Sequence, residues 1–344
     1  METGRVTVLT NAMARELVTD AAGKVTAVSY IDKATGEERQ VRCRIVVLSA
    51  SSGESARLLL NSKSSRHPQG VGNSGGLVGK YLTDTVGFNL SGNVPYMRGM
   101  PPFASAGYGA HLYIPWWKAD RHNELDFPLG YHVELGGGGF ATPALGFGAE
   151  AYEESQGYGL PMRKAIRDSY GSGINITFTG RGSMVPNEDC YCEIDPDGAK
   201  DKWGIPVLRF HWKWSDYERN EARHMRESFT AIIEAMGGTV NAGGGRGGRG
   251  RGAAPPDPNQ PPDGRPQLGA GGGIIHEVGC VRMGTTPNDS VVNKFCQVHE
   301  VPNVFSADGG PFASHGDKNP THTIIALAWR TAEYLAEEMR KGNV

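Results

Sequence analysis

Cysteine is scarce in this sequence, and the five that occur cannot be paired off. Cys43, Cys190, Cys192, Cys280 and Cys296 form an odd set with no Cys-x-x-Cys spacing, so neither a disulfide framework nor a zinc site is expected. Cys190 and Cys192 alternate along a strand pattern, which sends their side chains to opposite faces and keeps them from sharing a metal. Long apolar runs are missing as well. Nothing approaches the roughly 18 residues that a membrane-spanning helix requires, so no membrane span is expected. An excess of one charge is also lacking: a net charge of −2 argues against a general polyanion binder. The opening Met1-Glu2-Thr3-Gly4 has no signal-peptide pattern, and a cytoplasmic or periplasmic location is expected. Finally, no convincing phosphate-binding turn is present. Gly243-x-Gly245-x-x-Gly248 has the dinucleotide spelling, but no strand leads into it and Ala253-Ala254-Pro255-Pro256 forbids a following helix.

What is present is a globular pattern, with 344 residues, 38% apolar content and 49 glycines. That is enough chain for two cores with Gly-rich loops. Arg5–Thr10, Lys24–Asp32 and Glu38–Cys43 read as strands separated by the polar turns Asp20–Lys24 and Lys33–Glu37, a β-meander. Ile45-Val46-Val47-Leu48 is a continuous apolar run, the pattern of a strand buried on both faces. Ser49–Gly53 turns the chain and Glu54–Leu60 reads as a short helix. From Gly87 the character changes to aromatic-rich strand candidates at Leu112–Ile114, Gly130–Leu135, Ile174–Thr179, Cys190–Ile194 and Val207–Trp212. Ser215-Asp216-Tyr217-Glu218 spells a capping box. It opens a helix whose Ala222, Met225, Phe229, Ile232, Ile233 and Met236 share one face, with Gly237 as its stop. Residues 242–273 are low in complexity, Gly/Arg repeats and then Pro/Asp/Gln, and predict a mobile surface insertion. Its four arginines in a neutral protein do not make a nucleic-acid surface.

Three pieces near the C-terminus carry the chemistry: His276-Glu-Val-Gly-Cys-Val-Arg-Met-Gly284, then Val304 to Gly310 with Asp308-Gly309, then Asn319-Pro320-Thr321 opening a long helical pattern. Together they resemble the C-terminal signature of the glucose–methanol–choline (GMC) family of flavin-dependent oxidoreductases. Val6-x-Val8-Leu9-Thr10-Asn11-Ala12, Val46-Val47-Leu48-Ser49-Ala50 and Ala56-Arg57-Leu58-Leu59-Leu60 resemble the middle of that family's flavin-binding domain, and Gly70–Lys80 extends the likeness. Asp195 to Val207 resembles part of its substrate domain. The fold implied is mixed α/β. Residues 1–86 and 274–344 would form a partial, Rossmann-like FAD-binding domain, and residues 87–273 an antiparallel-sheet substrate domain that includes the 242–273 loop. The spelling Asn-Pro-Thr is closest to the pyranose-oxidase-like, sugar dehydrogenase branch.

Hydride removal from an alcohol needs a group to take the hydroxyl proton and a second polar group to hold the oxygen. By position in the motif the resemblance implies His276 as the base and Asn319 as its partner, with His315 the alternative, as in branches with two histidines. It further implies FAD contacts at Ala14, Ser49, Ala50, Asp308, Gly309, Asn319, Pro320 and Thr321. Asn at the N-cap followed by Pro at the first helical position would also start a helix strongly. Ile324, Leu327, Ala328, Leu335 and Met339 would give that helix one apolar stripe. Nothing before Val6 matches the strand, Gly-x-Gly-x-x-Gly turn and helix with which the family binds the FAD pyrophosphate, so the likeness covers roughly the last three-fifths of a family member. The substrate implied is a small sugar or glycoside, with a second polypeptide as the source of the missing flavin contacts. A catalytically dead sugar-binding or scaffold module is the alternative.

Overall fold

The computed structural model describes residues 3–98, 112–137, 158–169, 175–241 and 261–344. Three strands, β1 (Ala12–Thr19), β2 (Val25–Asp32) and β3 (Glu38–Arg42), pair in sequence order as an antiparallel meander. The Arg5–Thr10 stretch stays outside it, and β1 forms seven residues later than the alternation predicts. The turn explains the register: Asp20 Oδ1 accepts from Ala22 N at 2.9 Å and Lys24 N at 3.0 Å, which closes the hairpin directly after Thr19. Along β2, Val25, Ala27, Ser29 and Ile31 alternate inward, the period-2 burial of a half-covered sheet.

Next comes β4 (Val46–Leu48), which runs parallel to β12 (Val304–Ser306) near the other end of the chain. The intervening α1 (Ser52–Asn61) packs Ala56, Leu59 and Leu60 against Val46, Leu48 and Val304. This first core draws on residues from Leu17 to Leu82 and again from Cys280 to Val304. Asn303 staples the two parts, its Nδ2 donating to Val25 O at 2.7 Å and Arg44 O at 2.9 Å. The apolar run at β4 predicts burial on both faces, but Val47 is 46% exposed. Only the α1 face of β4 is covered. The antiparallel hairpin of β9 (Tyr191–Ile194) and β10 (Leu208–His211) packs Ile194 and Leu208 on this same core. Arg57 fastens α1 to the hairpin loop, donating to Asp201 Oδ2 at 2.8 Å and Pro206 O at 2.7 Å.

A second core lies under a five-stranded antiparallel sheet. Its order is β11 (Thr239–Val240), β5 (Val86–Asn93), β8 (Asn175–Gly182), β7 (Tyr131–Gly137) and β6 (Leu112–Ile114). A helix, α2 (Leu160–Ser169), precedes β8. The long α3 (Asp216–Ala235) covers one face, burying Met225, Phe229 and Ile233 against Phe88, Leu90, Phe178 and Tyr131. Both halves of the Ser215–Glu218 capping box form. The helix stops at Gly237, whose φ of 70° is the left-handed conformation that glycine adopts without strain.

The low-complexity stretch divides. Residues 242–260 lie outside those described. Residues 261–273, predicted to be mobile, are instead seated on the body. Leu268 is 1% exposed, Trp214 Nε1 donates to Gly269 O at 2.7 Å, and Asp263 is gripped by Arg219 at 2.7 Å and Arg265 at 2.6 Å. The apolar and charged residues spaced through the Gly/Pro background anchor it. The chain closes with α4 (Thr321–Lys341). Among the described residues no helix is long and apolar enough to cross a membrane.

Candidate active site

His276 sits on a loop held open by backbone strain and one buried carboxylate. Ile275 adopts φ 63° and leaves its side chain 72% exposed, an unusual conformation for a β-branched residue. Asp84 stabilises it from beneath: Oδ1 accepts from His276 N at 3.1 Å and Thr85 N at 2.7 Å, and Oδ2 from Ile274 N at 3.4 Å. Burial, followed by the nearby Glu277 charge, pushes the Asp84 carboxyl up to about 6 despite those three donors. Ile274 reaches the sheet only because residue 87 is glycine; a Cβ there would lie 2.1 Å from Ile274 Cδ1.

The half-buried His276 ring is then fixed at both nitrogens. Asn319 Nδ2 lies 3.1 Å from Nε2, and Thr85 Oγ1 lies 3.2 Å from Nδ1. With the amide nitrogen donating, Nε2 accepts, so the ring proton sits on Nδ1 and is given to Thr85. That tautomer leaves Nε2 as a base facing Asn319. His315 stands behind them, 2% exposed, its ring centroid 6.2 Å from that of His276. Burial and then the His276 charge pull its pKa down to about 4, so it is neutral at ordinary pH. The structure thus joins His276 directly to Asn319 and places His315 one layer back.

Asn319 does not cap α4. The cap position falls on Pro320, in the α conformation, with no side-chain cap, and Thr321 is the first helical residue. The Asn319 amide is turned to His276 instead of to the helix. The first intrahelical bond runs from Ile324 N to Pro320 O at 2.9 Å, so the N–H groups of residues 321–323 point out of the helix start. Together with the helix dipole they make a partly positive end beside His276 and Asn319. The expected apolar stripe also needs correcting. Ile324, Leu327, Ala328 and Leu335 are half-buried, but Met339 is 46% exposed, as are Ile325 at 55% and Trp329 at 68% on the outer side.

The loop that carries His315 and Asn319 is tied to the five-stranded sheet. His315 bridges Met184, Lys318 Nζ donates to Pro115 O at 2.6 Å, and Asp317 Oδ2 lies 3.4 Å from Nδ1 of the fully buried His132. Burial pulls the His132 imidazole down, but hydrogen bonds to Asp317 and Glu134 more than offset this and leave its pKa raised. Asp317 is held below its ordinary value, the ion pairing with His132 and Lys318 outweighing its own burial.

Of the residues expected at the flavin, Ser49 and Ala50 follow the carboxyl end of β4 and Asp308 and Gly309 that of β12, where α/β sheets place ligands, whereas Ala14 lies in β1 and Asn319, Pro320 and Thr321 at the start of α4. Ser49 and Ala50 are exposed just past β4. Ala14 and Ala50 line one cleft of about 370 Å³ beside α1, with Glu54 and Leu58; its lining includes neither His276 nor Asn319. Asp308 is 7% exposed and turned inward, bonded to Ser55 Oγ at 2.5 Å, Ser306 Oγ at 2.9 Å and Gly310 N at 2.8 Å. Its carboxylate staples α1 to β12. Gly309 O accepts from Gly279 N at 3.0 Å and Ser52 Oγ donates to Glu277 O at 3.2 Å, which connects this region to the His276 loop. Sequence reasoning missed Asp84, Thr85, His132 and Asp317. Only a partner distant in the chain gives each its role, and no local pattern announces that.

Residues 186–328 match the family model described as GMC oxidoreductase. The 2-methyl-1,2-propanediol dehydrogenase of Mycolicibacterium austroafricanum is 33% identical over 91% of this chain and 51% of its own length. The fructose dehydrogenase large subunit of Gluconobacter japonicus is 26% identical over 97% of this chain and 55% of its own. The chain therefore spans about half the length of the curated relatives it matches. A formate oxidase variant from Aspergillus oryzae RIB40 superposes with a TM-score of 0.63 at 15% identity, over 96% of this chain and 60% of that one. At that identity the likeness is one of fold.

Proposed function

The chain belongs to the GMC oxidoreductase family through its C-terminal domain, and from that premise we propose an FAD-dependent oxidoreductase acting on a CH–OH group of a sugar or glycoside. The observation that carries this is the His276 Nε2–Asn319 Nδ2 pair at 3.1 Å, set at the bare N-terminus of α4. FAD, when bound, supplies the hydride acceptor. Residues fit to hold it are Ser49, Ala50 and Ala14 on the β4 side, the Asp308–Gly309 turn, and Asn319, Pro320 and Thr321 at the partly positive helix end, which suits an anionic group.

The chain's own residues then have defined tasks. The substrate hydroxyl takes the place between the pair, donating to His276 Nε2 and accepting from Asn319 Nδ2. His276 accepts the hydroxyl proton at Nε2 as the carbinol is oxidised. Thr85 Oγ1 accepts a hydrogen bond from Nδ1–H throughout, which keeps Nε2 free to act as base. Asp84 keeps the strained loop from withdrawing the ring. Residues 1–86 and 274–344 make up the flavin side and residues 87–273 the substrate side in this reading, except that β9 and β10 pack with the former.

A further polypeptide segment, on this or a second chain, completes the flavin site. The support is the two-stranded parallel pair β4–β12, since parallel sheets are ordinarily covered on both faces, together with the exposure of Val47 on β4. The test is anaerobic mixing of the FAD-loaded, completed protein with a sugar panel, followed by turnover with oxygen and with an artificial acceptor. Loss of the oxidised flavin band with a sugar is expected. Reduction by choline or aryl alcohols alone overturns the sugar assignment.

A further inference from the structure

Two loops meet at the candidate active site, and one row of the five-stranded sheet supports both. In that row Arg181 of β8 stands between Gly87 of β5 and His132 of β7. Gly87 lies against Ile274, two residues before His276. His132 meets Asp317, two residues before Asn319. Neighbouring strands are about 4.8 Å apart, so the two supports stand roughly 10 Å from each other. The separation of the loops, and with it the 3.1 Å contact of His276 with Asn319, is set from beneath.

The two supports differ in kind. Gly87 offers shape, whereas His132 offers charge. Its ring is wholly buried between two carboxylates, with Asp317 Oδ2 3.4 Å from Nδ1 and Glu134 Oε1 3.7 Å from Nε2. An ionised carboxylate can only accept hydrogen bonds, so the ring matches its surroundings when both nitrogens carry protons. The cluster is then balanced. His132 and Lys318, whose Nζ also donates to Asp317, offset Asp317 and Glu134. Burial opposes the imidazolium, but the two carboxylates outweigh it and hold its pKa above the ordinary value. Tyr113 of β6 packs its ring 4.8 Å from that of His132, and its phenol is pushed up by burial and then by Asp317 and Glu134. Arg181 stays charged beside it in the row. His315 on the same loop is neutral, as is Glu221 of α3, whose carboxyl burial pushes well above its usual range. Of these groups His132 is the one whose charge changes near neutral pH.

We infer that the His132–Asp317 ion pair is a positioning contact: the His132 imidazolium holds the 314–319 loop so that the Asn319 amide meets His276, and alcohol oxidation requires that charge. The inference rests on the proposed CH–OH chemistry and names what keeps its hydroxyl-holding amide in place. Neither partner touches the reacting atoms. Once His132 loses its proton, one nitrogen turns a lone pair toward a carboxylate and the ion pair is gone. A group whose pKa folding raises contributes at low pH and ceases to as pH rises through that pKa.

The experiment uses His132→Asn, which keeps a donor near the place of Nδ1 without the charge, and Asp317→Asn, which neutralises the other partner. In the FAD-loaded, completed protein, stopped-flow reduction by the best sugar is followed from about pH 6 to about pH 9. Wild type should lose about tenfold or more of its limiting reduction rate as pH rises across the His132 ionisation, since a misplacement of about 1 Å can cost about 100-fold. Both variants should sit at that low rate throughout, without the alkaline fall, the loss falling on the rate more than on substrate affinity. The double variant should be no slower than either single one, because all three break the same contact. A variant as fast as wild type, or one that is slow at every pH yet keeps the alkaline fall, overturns the pair. Amide hydrogen exchange over residues 314–320, corrected for its intrinsic pH dependence, decides without turnover. Protection in wild type should fall as pH rises through the same ionisation, and in both variants it should be low and flat. Protection equal to wild type in the variants overturns the pair. Should His132→Asn fail to fold, Asp317→Asn, at its loop position, carries both arms. If no alcohol reduces the flavin in wild type, the proposed chemistry fails by itself and the exchange arm still judges the pair.

Discussion

Removing the His276 imidazole leaves Asn319 and Thr85 with no common partner, since each reaches a different ring nitrogen. A missing general base costs on the order of 10²–10⁴ in rate, so His276→Ala in the completed protein should collapse substrate-dependent flavin reduction. Stopped-flow absorbance would check this, with the amount of bound flavin nearly unchanged. Asn319→Ala should slow reduction too, yet leave the thermal midpoint where it was, because the exposed side chain caps nothing. A fall of several degrees would show that it supports the helix after all. His315 makes a different prediction. Its folded pKa is depressed from 6.5 to about 4. A base depressed in this way contributes stability that is present above pH 6.5 and lost as pH falls toward 4. Urea midpoints should therefore drop across that window, and His315→Gln should flatten the drop. Asp84, raised to about 6 from 3.8, acts in the opposite sense. Its stabilisation is complete below pH 3.8 and is lost as pH rises through 6, so the two must be separated by mutating each alone.

The helices were legible in the sequence to different degrees. α3 could be read almost to the residue, because the Ser215–Glu218 box and the Gly237 stop are local devices and the apolar face is long. α4 could be found but its first residue could not: Asn-Pro-Thr spells a cap, and only the position of His276 shows where the amide goes. β5 was invisible, since Val86–Asn93 includes two glycines and two asparagines that carry no strand preference. It is nevertheless central, because its alternate residues serve the α3 core and the loop that carries His276 at once. The segment 261–273 misled through its composition. Leu268, buried against Val86, Met184 and Trp214, is the check: Leu268→Ala should cost about 2–5 kcal/mol in chemical denaturation. A change below about 0.5 kcal/mol would return the segment to the surface.

Viewed whole, the molecule leaves Val47 on β4 exposed, and likewise Ile325 and Trp329 on α4. The chain by itself should hold FAD weakly and turn over nothing. If a further segment completes the site as proposed, adding it should shift tryptophan fluorescence to the blue as Trp329 is covered and slow amide exchange across β4; activity from these residues alone would refute this. The joining of β4 to β12 has one more consequence, in time instead of space. Val25 and Asn303 bond across 278 residues of chain, and the first core cannot close before the last strand has been made. During synthesis the meander and α1 must wait while the whole sheet region emerges, with the faces meant for β12 open to other chains. Long-range pairing of this kind is slow and aggregation-exposed. Folding yield, more than final stability, should therefore be the property most sensitive to changes at Asn303.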